Sequence, residues 1–296
     1  MKRTILNASQ SGMAVITAML LVALAASVAT FLLWRQQLWL QQVENLSARA
    51  QADALAAGAI EWRRRAGPKA SVAPFSEVGV VDIAVADPQG LFNLNNVVRA
   101  GKPSEPDLGT LRRLLALLGL REALADALLD AIDADSETTF PGGAEDLDYL
   151  AMEPARRAPN RPLLDVSSLG RIKGFTAETI SLLAPFVTAL PESTSINVNS
   201  APAEVLRAAI PSLDESSARA LVAERSSTPF DSLEAFRAKL PASARVPPDI
   251  ALGISSNYYI VASRAQVERA AASYRALVAM QGAKRPGIVW RTQGAD

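Results

Sequence analysis

Ten carboxylates and no lysine or arginine fall between Glu122 and Ala155. Six of them, Asp133, Asp135, Glu137, Glu145, Asp146 and Asp148, crowd one polar loop. Carboxylates at this spacing repel one another, and a set of oxygen-only donors suits a hard cation such as Ca²⁺, which takes 6 to 8 oxygens at about 2.3–2.6 Å. The Gly142-Gly143 pair lets the loop fold back so that Glu145 and Asp146 meet Asp133 and Asp135. Those four are the expected ligands, with Glu137 and Asp148 in reserve. The loop is not an EF-hand: counting Asp133 as the first position, the sixth is Thr138 instead of glycine and the twelfth is Ala144. The alternative is a solvated acidic loop in which Asp130 and Asp133 finish a helix. A calcium ion here would be structural, ordering a segment whose apolar content is too low to order itself.

Other chemistry is thinly supplied. Cysteine and histidine are both absent, which removes disulfides, thiolate and imidazole metal sites, and the usual catalytic dyads. Paired carboxylates can serve a glycosidase, but nothing in the sequence separates an acid from a base or marks a cleft, so no enzymatic activity is expected. Thirty basic and thirty acidic residues cancel, leaving no global field toward nucleic acid or lipid headgroups.

The elements that must position the acidic loop begin with an apolar run. Met13 to Trp34 holds no charge, and Lys2 and Arg3 stand before it. A bilayer core needs roughly 20 apolar helical residues, whereas a secretory h-region has about 7 to 15. The run therefore reads as a retained anchor, with the amino terminus inside by the positive-inside rule and the rest of the chain outside. The alternatives are a signal peptide cleaved near Ala23-Leu24-Ala25-Ala26 and a plain signal anchor. Trp34 and Trp39 lie where interfacial aromatics are enriched. Helical periodicity continues through Val43, Leu46, Ala50, Ala54, Ala57 and Ile60 to the stop at Gly67-Pro68. That predicts one helix over residues 13–65, about 80 Å long, unless a break near Gly58 divides it.

Alternation then takes over. Val80, Val81, Ile83 and Val85 predict a strand before the turn Asp87-Pro88-Gln89-Gly90, and residues 257–268, 272–281 and 288–290 predict three more, with a turn at residues 282–287. Strands that flank a long helical segment imply that one domain is inserted into a connection of another. The insertion, residues 102–251, reads as three variants of a helical hairpin. One is broken at Gly119, one runs from Asp165 through Gly174-Phe175 into Thr176, and one turns at Pro211-Ser212-Leu213-Asp214. The expected fold is α+β, with a long stem helix covering one face of an antiparallel sheet and a large all-α insertion.

Three resemblances sharpen this reading. Ser11-Gly12-Met13-Ala14-Val15-Ile16-Thr17 resembles the prepilin-type signal of type IV pili and type II secretion. The resemblance implies cleavage after Gly12 by a prepilin peptidase and methylation of Met13. Most such proteins carry glutamate at mature position five, where this chain has Thr17. A carboxylate in lipid is costly unless paired, so its absence implies a subunit with no neighbour above it.

The third hairpin resembles the helix-hairpin-helix (SAM-like) modules that grip phosphate through backbone amides. Here both hairpin glycines are missing, Pro211 lacks an amide hydrogen, and Asp214 and Glu215 add negative charge. No nucleic acid partner is expected, and a membrane-tethered DNA-binding protein of competence type is the competing reading.

Over nearly its whole length, including Phe92-Asn93-Leu94-Asn95-Asn96 and Ile196-Asn197-Val198-Asn199, the chain resembles the K-type minor pseudopilins of type II secretion. That implies a single-pass inner-membrane protein with a periplasmic head and a pilin-like frame. The corresponding segments are a leader 1–12, a span 13–34, a stem and first head segment 35–101, the insertion 102–251 and completing strands 252–296. It also implies calcium in the helical domain, a place at the pseudopilus tip, and partners among the I, J and then H types, the prepilin peptidase and the inner-membrane assembly platform.

Overall fold

A computed structural model describes residues 8–68, 70, 78–280 and 286–294, with side chains from Gly12 onward. Most of the proposed leader, with Lys2 and Arg3, and most of the turn expected at 282–287 lie outside the described residues. The described residues fall into two compact units, one drawn from Met1–Ala84, Ala262–Arg275 and Arg291–Asp296, the other from Val85–Val261 and Ala276–Trp290.

The first unit is built on α1, Ala8–Ala66, which runs through Gly58 without a break. No proline interrupts it, and one interior glycine costs only about 1 kcal/mol. Its strands belong to a four-stranded antiparallel sheet made of β1 (Val80–Ala86), β2 (Tyr258–Val267), β3 (Ala270–Ala279) and β4 (Gly287–Gln293), paired in that order. Two residues join β2 to β3, Glu268 in the left-handed region at φ 52° and Arg269. The stem covers this sheet, and of the face that periodicity picks out Ile60 is buried and Ala57 half-buried, but the first four positions are not. Ala48, Ala52 and Ala56 are buried and pack on Ala265, Val267 and Ala272, and Ala59 and Ile60 are buried further along the helix. Val43, Leu46, Ala50 and Ala54 remain exposed, Leu46 at 68%.

Small side chains account for the choice. Alanines spaced by four let the helix backbone approach until Ser263 Oγ donates to the Ala56 carbonyl at 2.8 Å, and the Tyr274 hydroxyl donates to Asp53 at 2.8 Å. Bulkier valine and leucine would hold the two apart.

The second unit has one continuous apolar core. Its helices are α2 (Glu105–Leu117), α3 (Leu124–Ile132), α4 (Asp146–Leu150), α5 (Ala177–Leu183), α6 (Ala203–Ala209), α7 (Glu215–Ser227) and α8 (Leu233–Ala238). The first hairpin turns at Gly119, φ 70°, a backbone conformation that favours glycine. The second hairpin departs from expectation, because its first arm is a 3₁₀ segment, Val166–Arg171. The third is α6 and α7, with α6 also packed on α2. Side-chain caps start most of the rest: Thr176 accepts from Thr179 N, Asp214 from Ser217 N and Ser232 from Ala235 N.

Long loops leave main-chain groups that must find partners, and the asparagine runs supply them. Asn95 donates to the carbonyls of Leu163 and Leu190, both at 2.9 Å, and accepts from Leu163 N at 2.8 Å. Asn199 exchanges two bonds with the backbone of Phe230. Asp87, directly after β1, gathers three chain segments: one carboxylate oxygen accepts from Asn197 Nδ2 at 2.8 Å, Ser200 Oγ at 2.6 Å and Ser256 Oγ at 2.7 Å, the last just before β2. Asp87→Ala leaves three half-buried donors without an acceptor. At about 1.5–3 kcal/mol for a hydrogen bond to a charged group, and with incomplete additivity, it should cost about 3 kcal/mol. Thermal unfolding should show a drop of about 6–12 °C, and Asp87→Asn a smaller one.

Candidate metal centre

The acidic loop closes as its glycines require. A Cβ on Gly143 would lie 2.1 Å from Asp130 Oδ2 and 2.4 Å from the Thr139 carbonyl, so only glycine fits there. Asp130 is buried at the end of α3 and accepts from Thr139 N at 3.1 Å, pinning the loop back. The consequence is a cluster: oxygens of Asp133, Asp135 and Glu145 all lie within 4.8 Å of one another. Two oxygens bound to the same Ca²⁺ can be at most about 5 Å apart, so the spacing fits that ion.

Of the sequence-derived candidates, the structure brings these three together. Asp146 instead accepts from Ala158 N at 2.9 Å. Asp148 pairs with Lys173 at 2.6 Å, and that ammonium holds its carboxyl below the usual range. Glu137 is exposed, and its amide donates to Asp135 at 2.9 Å. Asp126, another of the ten acids, is buried against Arg112 at 2.9 Å. Sequence reasoning missed Asn160, whose side-chain nitrogen donates to the Asp135 carbonyl at 3.1 Å. It lies twelve residues beyond Asp148, in a segment with no regular pattern.

The electrostatics are those of a site short of positive charge. Asp133 and Glu145 are each 6% exposed. Asp133 Oδ1, both Glu145 carboxylate oxygens and Asn160 Oδ1 are buried without a hydrogen-bond partner. Burial, then the charges of Asp135, Asp130 and Glu145, push the Asp133 carboxyl up to about 7. Burial and the charges of Asp130 and Asp135 raise Glu145 as well. The adjacent Asn160 amide is close enough to offset part of that rise, although its geometry falls short of a hydrogen bond. Buried acceptors without donors are rare in folded proteins, and a divalent cation would satisfy the Asp133 and Glu145 oxygens together. The donor set is oxygen-only, as Ca²⁺ prefers.

The helical hairpin that resembles a DNA-binding module carries a carboxylate at its turn. Asp214 accepts from Ser217 N, Ser216 Oγ and Ser217 Oγ at 2.6–2.9 Å, so the first turn of α7 is capped by the protein's own carboxylate.

A long N-terminal apolar helix packed on an antiparallel sheet, with seven helices following in the chain between its first and second strands, defines a pilin-like subunit with a large insertion. Comparison with known proteins gives the family. Models described as Type II secretion system (T2SS), protein K match residues 90–192 and 196–255. The type II secretion system protein K of Pseudomonas aeruginosa is 34% identical over 281 residues, 86% of this chain and 84% of the relative. That of Klebsiella pneumoniae is 30% identical over 329 residues, 98% of each. The crystal structure of the GspK-GspI-GspJ complex from the enterotoxigenic Escherichia coli Type 2 Secretion System contains a chain similar at TM-score 0.66 and 25% identity. The match covers 88% of this chain and all of that one. The chain belongs to the type II secretion system protein K family, the K-type minor pseudopilins.

A pH dependence follows for the cation-free protein. Asp133 has a folded pKa of about 7, above its ordinary value of 3.8. Its stabilising contribution is therefore full below about pH 4 and lost as pH rises through 7. In chelator the melting temperature should be lower at pH 8 than at pH 5.5. Calcium at a hundredfold excess over its Kd should restore about 2.7 kcal/mol at pH 8, about 5–10 °C. Asp133→Asn should melt above wild type in chelator at pH 8 and no longer respond to calcium. A wild-type melt indifferent to calcium at pH 8 would remove the metal assignment.

Proposed function

We propose that this chain stands at the tip of the type II secretion pseudopilus, where it initiates or caps assembly with the I- and J-type minor pseudopilins, above the H type. The observation that carries this reading is the division of α1. Residues 12–47 are exposed all round and apolar over their first two-thirds, and burial begins only at Ala48. Such a helix needs a bilayer at first and the helices of neighbouring subunits afterwards. The exposed stripe of Val43, Leu46, Ala50 and Ala54 then has a use, as the surface on which partner stems pack. The similar chain from E. coli was solved in a complex with GspI and GspJ, which supports the choice of partners.

Thr17 supports the topmost position. Its hydroxyl donates back to the carbonyls of Met13 and Ala14 at 3.0 Å, so it is satisfied inside its own helix. A glutamate there would need a partner from another subunit. In this reading prepilin peptidase cuts after Gly12 and Met13 is methylated. The amino terminus is cytoplasmic, the head is periplasmic and single-pass in the inner membrane until the assembly platform extracts it, and the chain has no catalytic task. Ca²⁺, held by Asp133, Asp135 and Glu145, is structural.

Two measurements test the proposal. The mass of the mature protein should correspond to a chain starting at methylated Met13, and Gly12→Val should abolish processing; a start near Ser27 would end the assignment. Leu46→Glu should leave the melting temperature within about 1 °C, since an exposed substitution changes stability by about 0.5 kcal/mol or less. It should nonetheless reduce co-purification with the I and J partners at least about tenfold, a loss of about 1.4 kcal/mol. Undiminished co-purification would rule out that stem face.

A further inference from the structure

The strand β4, Gly287–Gln293, ends the sheet on one side and pairs with β3 alone. Every residue of it except Trp290 is exposed, with Ile288 at 38% and Val289 at 43%. Its register on β3 shows which backbone groups are free. Gly294 N donates to the Ser273 carbonyl at 2.9 Å, and Trp290 packs on the cluster that holds Leu277. Inward bonds alternate along an antiparallel strand. Ile288, Trp290 and Thr292 therefore bond to β3, while Val289, Arg291 and Gln293 direct their N–H and C=O groups off the open edge.

An edge of this kind pairs with any strand that reaches it, and proteins ordinarily blunt it with lysine, proline, a bulge or a very short strand. β4 has seven residues, no proline and no lysine, and its one charge is Arg291. The opposite edge, β1, carries Asp82 instead. β3 and β4 together hold Arg275 and Arg291, both exposed, and no carboxylate. The Arg291 guanidinium lies 5.3 Å from the Tyr274 ring, on the stem side of the sheet, where Gln293 donates to Asp53 at 3.3 Å. Arg275 falls beside Thr292 in this register, and its side chain is on the other face. Among the described residues no ion pair joins either arginine to a carboxylate. The open edge is thus apolar at Ile288 and Val289 and positive on both faces.

We propose that the β4 edge is a strand-addition site, where another polypeptide docks as an extended segment of alternating apolar residues bearing a carboxylate. The outward groups of Val289, Arg291 and Gln293 supply the ladder, which gives affinity without regard to sequence. Apolar side chains on the added strand leave water beside Ile288 and Val289, and a carboxylate beside Arg291 becomes an opposite-charge cross-strand neighbour. A second copy pairing through its own β4 would bring the same arginines and no acid, so charge favours a foreign strand. The site depends neither on the acidic loop nor on the place of the chain in the pseudopilus.

The test uses the full chain in detergent and a fluorescein-labelled heptapeptide that alternates valine and threonine about a central aspartate. Binding is read by fluorescence anisotropy and located by amide exchange along β4. The peptide should bind and slow exchange at Val289, Arg291 and Gln293 at least about tenfold, while Ile288, Trp290 and Thr292, already bonded to β3, change little. The same peptide with lysine for aspartate should bind at least about tenfold more weakly; equal binding would overturn the choice of an acidic partner. Val289→Pro removes one outward N–H from the ladder and should weaken binding by a similar factor. Val289→Thr keeps that N–H and should bind within about twofold of wild type, which separates loss of the ladder from damage to the sheet. No binding by wild type, or protection confined to residues outside β4, overturns the site. So does a chain whose mass in detergent is already doubled and returns to a single copy in Val289→Pro, since the edge then belongs to a second copy.

Discussion

The structure turns on where a chain leaves a sheet and how it comes back. An insertion of this size departs after β1 and returns before β2, and both ends must be held if the strands are to pair. Asp87 does this with one carboxylate oxygen shared among Asn197, Ser200 and Ser256. Its other oxygen accepts from Gln89 N at 2.9 Å, and the Gln89 side chain in turn receives Tyr258 N at 3.0 Å. A charged acceptor with several neutral donors is stronger than a set of separate neutral pairs. It also fixes three segments relative to one point, which the entropy of so long a loop would otherwise oppose. The asparagines repeat the device inside the helical unit, each amide closing backbone groups that neither helix nor sheet can serve.

Much of this was legible in the sequence and some was not, for physical reasons. The uncharged run from Met13 to Trp34, the alternation in β1 and the last three strands, and the break at Gly119 are local signals, and the structure follows them. The asparagine runs were legible as a resemblance but not as a mechanism, because their partners lie about a hundred residues away. Asn93 is bonded to Leu190 N and the Glu192 carbonyl. The stem misled in a particular way. Periodicity selected Val43, Leu46, Ala50, Ala54, Ala57 and Ile60, of which Ile60 is buried, whereas over residues 48–56 the sheet selected the alanines at 48, 52 and 56 because close approach there permits hydrogen bonds that bulk would prevent.

The acidic site divides along the same line. Composition located it, and the glycine pair announced its fold, but which carboxylates converge depends on competition for donors. Asp146 is adjacent to Glu145 in sequence, and the start of α4 sends its carboxylate to Ala158 N. Asp148, which had the same prior claim as Glu137, is taken by Lys173. What remains is Asp133 and Glu145, whose buried oxygens lack donors, with Asp135 beside them, and that unmet demand, more than the number of acids, is what singles out a cation site. Asn160 could not be found from spacing because it carries no charge and stands in a segment without periodicity. Its signal is the bond from its side-chain nitrogen to the Asp135 carbonyl, visible only in three dimensions.

The same logic of demand and supply governs the stem. A helix with its apolar surface exposed through residues 12–47 is stable only in an environment that supplies lipid or other helices, and the two are nearly equivalent as solvents for leucine. Transfer from bilayer to a bundle of neighbours therefore costs little, as the proposed extraction from the membrane requires. A buried carboxylate at position 17 would alter that balance, since it would have to carry its partner through the transfer. Thr17, bonded to its own helix at Met13 and Ala14, makes no such demand. In the proposed tip position, one residue would then both leave out the tie to a subunit above and ease the chain's own exit from the membrane.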